Sequence, residues 1–171
     1  SDVYKRQVAR DPDLSVYPDS TEVALTATPD PGWTFAGWSG GLTGTQNPDT
    51  LLMTSSTTVT ATFSAESYAL TRASTGMGSV LVSPNLASYS YGDTLILTAQ
   101  PSAGWSFDSW TAGLSGTGNP DTLIIQSDTT VTALFLPTTY TVSVSAVGNG
   151  TVTKSPDSTS YALGDLSLIH I

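Results

Sequence analysis

Gly32-Trp33-Thr34-Phe35-Ala36-Gly37-Trp38 recurs 72 residues later as Gly104-Trp105-Ser106-Phe107-Asp108-Ser109-Trp110. The same offset, without a gap, carries Asn47-Pro48-Asp49-Thr50-Leu51 onto Asn119-Pro120-Asp121-Thr122-Leu123, and Thr57-Thr58-Val59-Thr60-Ala61 onto Thr129-Thr130-Val131-Thr132-Ala133. It also places Pro84, Tyr89, Gly92 and Asp93 on Pro156, Tyr161, Gly164 and Asp165. A fixed period of this kind marks tandem supersecondary modules. Ser64-Ala65-Glu66-Ser67 and Leu136-Pro137-Thr138-Thr139 both follow a strand ending in Phe and precede a Tyr, which sets the phase. The predicted organisation is a first repeat over 8–66 lacking its start, a complete repeat over 67–138, and the opening part of a third over 139–165. Linkers this short do not allow wide independent tumbling.

Within a repeat the hydrophobic pattern has period two. Val131, Ala133 and Phe135 share one face, with Thr130 and Thr132 opposite; Leu95, Leu97 and Ala99 alternate with Thr94, Ile96 and Thr98; Tyr140, Val142 and Val144 alternate with Thr141, Ser143 and Ser145. This is the signature of half-buried antiparallel strands, and no stretch sustains a helical period. Gly148-Asn149-Gly150 and Gly76-Met77-Gly78 suit a hairpin between the first two strands of a repeat. The fold class is therefore all-β, as tandem small antiparallel modules. The middle repeat should be the best packed, with edges left open in the two partial ones.

Both ends of the chain stand apart. Residues 2–7 can be encoded by GAT GTG TAT AAG AGA CAG, and the reverse complement of that word encodes Leu-Ser-Leu-Ile-His-Ile, which is residues 166–171. One DNA word read on opposite strands resembles a transposase sequencing adapter. Segments 1–7 and 166–171 are therefore set aside as adapter-derived, and the natural reading frame is expected to continue beyond both. His170, the one histidine, is set aside with them.

The chain carries a formal charge of −9 from 14 acidic and 5 basic residues, only 11% of its positions. Clustered Lys and Arg are missing, which argues against a nucleic-acid partner. There is no Cys for a disulfide or a thiolate metal site, and no apolar run approaches the ~18 residues of a membrane span. With neither His nor Cys between residues 8 and 165, Ser-His and Cys-His pairs cannot be assembled. The reading is not an enzyme, with no cofactor and no metal. Asn47/Asp49 and Asn119/Asp121 carry oxygens of a type calcium accepts, but the Asn-Pro-Asp-Thr sequence reads as a structural turn.

The order of motifs carries a resemblance: a hairpin with Gly-Asn-Gly-Thr-Val, Tyr-x-x-Gly-Asp before Leu-Thr-Ala-x-Pro, Gly-Trp-x-Phe-x-x-Trp, and a closing Thr-Val-Thr-Ala-x-Phe. Together these resemble the divergent internalin-B-type B-repeat, over essentially all of residues 8–165. Arg72 departs from it, standing where the third repeat has Val144. The resemblance implies a β-grasp-like or related small β fold on large secreted or cell-surface bacterial proteins. It implies a stalk, spacer or adhesive role without catalysis, and no particular ligand. The partners expected are neighbouring repeats of the same chain, with a cell-surface glycan or protein as the external class.

The aromatic residues are the remaining candidates. On a regular strand Trp33 and Phe35, like Trp105 and Phe107, share a face and should form the core, whereas the second Trp falls on the other face unless a bulge intervenes. For Trp38 and Trp110 the first reading is still core, and the functional alternative makes them the candidate ligand-binding residues, stacking on sugar rings or a partner beside the Gly-rich loops 40–44 and 112–116. That is the basis of an alternative reading as a carbohydrate-binding module of a glycan-active enzyme. Lys154 is expected to be a solvated strand-end lysine.

Overall fold

A computed structural model describes residues 7–166 and 168–170, without the side chains of residue 7 and of 168–170. The remaining residues of the two adapter-like segments lie outside this description. The chain divides into two compact units, the first comprising Ser1–Tyr68 with Ser88–Asp93, the second Ala69–Ala87 with Thr94–Ile171.

In unit 1 the strands are β1 (Gln7–Asp11), β2 (Thr21–Thr28), β3 (Trp33–Gly40), β4 (Asp49–Met53) and β5 (Val59–Ala65). They form two antiparallel sheets, ordered β1-β2-β4 and β3-β5. The alternating apolar residues of both sheets face inward and enclose one core. Val23, Leu25, Ala27 and Trp38 are buried there, with Phe35, Leu51, Met53, Val59, Ala61 and Phe63 packed against them.

Unit 2 repeats this plan and adds a strand. Its strands are β6 (Leu70–Thr75), β7 (Gly78–Ser83), β8 (Thr94–Pro101), β9 (Trp105–Ala112), β10 (Asp121–Ile124) and β11 (Thr129–Pro137). One sheet runs β7-β8-β10 and the other β6-β11-β9. The β6–β11 pair is parallel, from Leu70↔Thr129 to Thr75↔Leu134, and is the exception to the expected antiparallel pairing. Leu95, Leu97, Val131 and Ala133 are completely inaccessible and Phe135 is 1% exposed, while the equivalent Val59, Ala61 and Phe63 of unit 1 are only half-buried. The difference follows from β6: it covers the free edge of β11, and β5 has no counterpart of it among the described residues. The middle repeat is accordingly the tighter one.

The hairpin expected at Gly76-Met77-Gly78 is not formed as a ladder. β6 joins β11 and β7 joins β8, so this turn passes the chain from one sheet to the other. Its glycines serve close approach. A Cβ on Gly78 would lie 2.5 Å from the Phe135 ring, and one on Gly76 (φ +83) would lie 2.3 Å from the Phe135 carbonyl oxygen. Nor does the Gly148-Asn149-Gly150 segment pair two strands. Among the described residues the third repeat contributes β12 (Thr139–Tyr140), β13 (Thr153–Ser155) and β14 (Tyr161–Ala162); β12 pairs with β14, and β13 pairs with β15 (Leu168–His170) of the adapter-like segment. The β-grasp-like variant calls for a sheet wrapped on a helix, and no helix forms among the described residues.

Recurrent polar clips hold the turns. Asn47 Nδ2 donates to the Ala27 carbonyl at 2.7 Å while its Oδ1 accepts from the Ala27 N–H at 2.9 Å. Asn119 does the same to Ala99 at 2.9 and 2.8 Å. The side-chain amide thus stands in for a strand partner, saturating backbone groups that would otherwise be buried unpaired. The Tyr17 and Tyr161 hydroxyls donate to the carbonyls of Pro12 and Pro156 at 2.9 and 2.6 Å, five residues back in each case. At the turn that precedes β8, Gly92 has φ +86; the first repeat places Ser20 there instead, at φ +61.

Candidate functional site

The decisive local feature is a β-bulge. The β3–β5 register shifts between Phe35 and Gly37, and the β9–β11 register shifts between Phe107 and Ser109 opposite Leu134/Phe135. One extra residue, Ala36 or Asp108, reverses the inside-outside alternation beyond it. The second Trp of the motif is thereby brought to the same face as the Phe. Phe35 and Trp38 lie 5.0 Å apart between ring centroids at 58°, and Phe107 and Trp110 5.1 Å apart at 57°. Phe63 and Phe135 close each cluster edge-on at 6.0 and 6.1 Å.

The expectation that Trp38 and Trp110 present open faces to a ligand is corrected by this geometry. They are 5% and 3% exposed, among the most buried residues of their units. Their indole N–H groups donate to the Gln46 and Gly118 carbonyls at 2.8 and 2.7 Å. The Gly-rich loops thought to flank a binding face instead fold over the indoles. Gly44 and Gly116 accept from the backbone N–H of Trp38 and Trp110 at 2.8 and 2.9 Å. Buried indole N–H groups need such a partner, and the loops supply it.

The first tryptophans move the other way. Trp33 is 37% exposed and Trp105, Phe35 and Phe107 are half-buried, so these residues are not the deep core the regular alternation predicts. Trp33 lines a cleft of about 330 Å³ in unit 1, together with Asp30, Gly32, Phe63, Glu66 and Tyr91. Glu66 accepts a short hydrogen bond from the Tyr68 hydroxyl. This cleft was not legible as a site in the motif. Its signal lies in the departures from the repeat: Asp30, Glu66 and Tyr91 are replaced by Ser102, Thr138 and Leu163 in the next copy. The cleft chemistry is therefore a property of one copy.

Lys154 is also corrected. Its side chain is only 17% exposed, with Nζ 3.3 Å from Asp157, donating to the Ser158 carbonyl at 2.9 Å and lying 5.6 Å from the Tyr161 ring centre. The first repeat has the same pairing as Arg10–Asp13 at 2.6 Å. Asp49 and Asp121 each accept from the following backbone N–H, of Thr50 and Thr122, at 2.8 and 2.7 Å. No three His, Asp or Glu side chains converge as metal ligands among the described residues.

Two copies of a helix-free body, each with the same bulged aromatic core, define a tandem-repeat all-β protein. The chain belongs to the divergent InlB B-repeat family, which matches it over residues 12–67 and again over 68–139. No curated protein and no solved structure matches it.

Proposed function

We propose that the chain is a non-catalytic extracellular module, serving as a stalk, spacer or adhesive array in a larger bacterial secreted or surface protein. The observation that carries this reading is the use made of the repeated aromatic residues. Trp38 with Phe35 and Phe63, and Trp110 with Phe107 and Phe135, are conserved between copies as core, so what the repeat preserves is a body rather than a binding face. Side chains that differ between copies, such as those lining the Trp33 cleft, are free to carry adhesion in individual repeats. Membership of a repeat family supports the same view. Neighbouring repeats are the first partners, and a cell-surface glycan or protein is the external one. The carbohydrate-module alternative through Trp38 and Trp110 loses its platform with their burial.

The test is solution scattering on chains carrying increasing numbers of the 67–138 repeat. A spacer gives a maximum dimension that grows linearly with repeat number. A dimension that levels off as repeats are added would refute the reading. In parallel, titration of the chain with soluble polysaccharides should leave the emission of Trp38 and Trp110 unchanged.

A further inference from the structure

The compact units do not coincide with the sequence repeat. Ser88–Asp93 belongs to the second repeat by sequence, yet it lies within unit 1. The reason is visible at Gly32. This residue has φ +80, and a Cβ built on it would stand 2.3 Å from the Cβ of Tyr91. Its carbonyl accepts from the Glu66 N–H at 2.8 Å. Tyr68 and Tyr89 then exchange two backbone hydrogen bonds, at 2.8 and 2.9 Å. The turn is itself rigid: Asp93 N–H donates to the Ser90 carbonyl at 3.1 Å, and the Asp93 carboxylate accepts from the Ser90 N–H at 2.8 Å.

The same construction appears 72 residues on, inside unit 2. Gly104 has φ +77, and its added Cβ would lie 2.9 Å from the Cβ of Leu163. Thr138 N–H donates to the Gly104 carbonyl at 2.8 Å, and Tyr140 pairs with Tyr161. Asp165 closes the turn with bonds of 3.1 and 2.7 Å to Ala162. The side chain brought to the glycine changes from Tyr to Leu, whereas the glycine and the Tyr-x-x-Gly-Asp turn are retained. What is kept is a bare backbone surface that receives an apolar side chain, Tyr91 reaching it with Cγ at 3.1 Å and Leu163 with Cδ2 at 2.9 Å as well as with Cβ. Positive φ alone does not explain the glycine. Gly44 has φ +113 with nothing within 4 Å of an added Cβ, so there the backbone angle is the whole constraint.

We propose that Gly32 and Gly104 are docking sockets for the Tyr-x-x-Gly-Asp turn of the following repeat. Each repeat then completes its predecessor, and folding is coupled along the array. The occupant is a segment of the same chain, residues 88–93 for Gly32 and residues 160–165 for Gly104. The proposal deepens the spacer reading by specifying how one repeat engages the next. It is tested on folding alone, so it stands or falls separately from the growth of the array with repeat number.

The experiment is hydrogen exchange on the full chain carrying Tyr91→Ala, Gly32→Val or, as a control for backbone strain without collision, Gly44→Ala. Tyr91→Ala should accelerate exchange by roughly tenfold or more at Tyr68, Tyr89 and the β2 core amides of Val23 to Ala27, which belong to the preceding repeat. Gly32→Val should do the same, and more strongly at Tyr89 than Gly44→Ala does. The proposal is overturned if Tyr91→Ala accelerates only residues 88–93 while the β2 amides are unchanged. It is equally overturned if Gly32→Val and Gly44→Ala give the same pattern. Should Gly32→Val fail to fold, Tyr91→Ala decides alone, because it removes side-chain atoms from an exposed turn and adds none.

Discussion

Ser20 shows how tightly a single backbone angle is fixed by the repeat. It stands at the position of Gly92 and keeps the left-handed conformation, φ +61 against +86, although an L side chain disfavours it. Its N–H donates to the Met53 carbonyl at 2.8 Å, so the turn cannot relax without losing that bond. Ser20→Gly should therefore stabilise unit 1 by about 0.5–1 kcal/mol, the relieved strain outweighing the added unfolded-state entropy. Urea unfolding followed by backbone signals of unit 1 checks this, and a lower midpoint would show that the turn is not strained. Asn47 and Asn119 make the complementary case. Their motif was readable as a structural turn, but the partner, a backbone site 20 residues away, was not.

At the level of elements, the contrast between β5 and β11 carries most of the difference between the units. β11 is paired on both sides, to β6 and β9, whereas among the described residues β5 pairs only with β3. Alternate amides of β5 face away from its one partner, while β11 has a strand on both sides from Thr132 to Leu134. Hydrogen exchange should thus show an every-other-residue pattern of fast amides from Val59 to Phe63 and uniform protection from Thr132 to Leu134. Uniform protection in β5 would mean that another strand covers its edge. The bulges at Ala36 and Asp108 act at this scale too. Each inserts one residue, and that single insertion sends Trp38 and Trp110 inward and leaves Trp33 at the surface.

At the scale of the whole molecule, charge contributes little cohesion. The sequence carries 14 acidic residues against 5 basic ones. The ion pairs among the described residues, Arg10–Asp13 and Lys154–Asp157, each have a mainly exposed carboxylate. Surface pairs of this kind are weak, and the net self-repulsion is screened by salt. Raising ionic strength from about 0.01 to 1 M should leave stability unchanged or raise it by less than about 1 kcal/mol. A loss of stability on adding salt would show that ion pairs hold the fold. The stability resides in the two apolar cores and in the turns that close them.

The sequence by itself determined the period, the strand character and the inward faces of β8 and β11, because side-chain alternation and tandem identity are local properties of the chain. It also marked the Asn-Pro pairs as structural, and they bend the chain into β4 and β10. Tertiary structure decided which sheet each strand joins. The two strands flanking Gly76-Met77-Gly78 are adjacent in sequence, yet β6 extends the sheet of β11 and β7 that of β8, with Phe135 against both glycines. It decided the roles of the tryptophans as well, because a bulge exists only as a mismatch between two paired strands. And it decided where one folded unit ends: the fit of a later turn against the bare backbone of Gly32 accompanies the inclusion of Ser88–Asp93 in unit 1, and a period in the sequence carries no record of that contact.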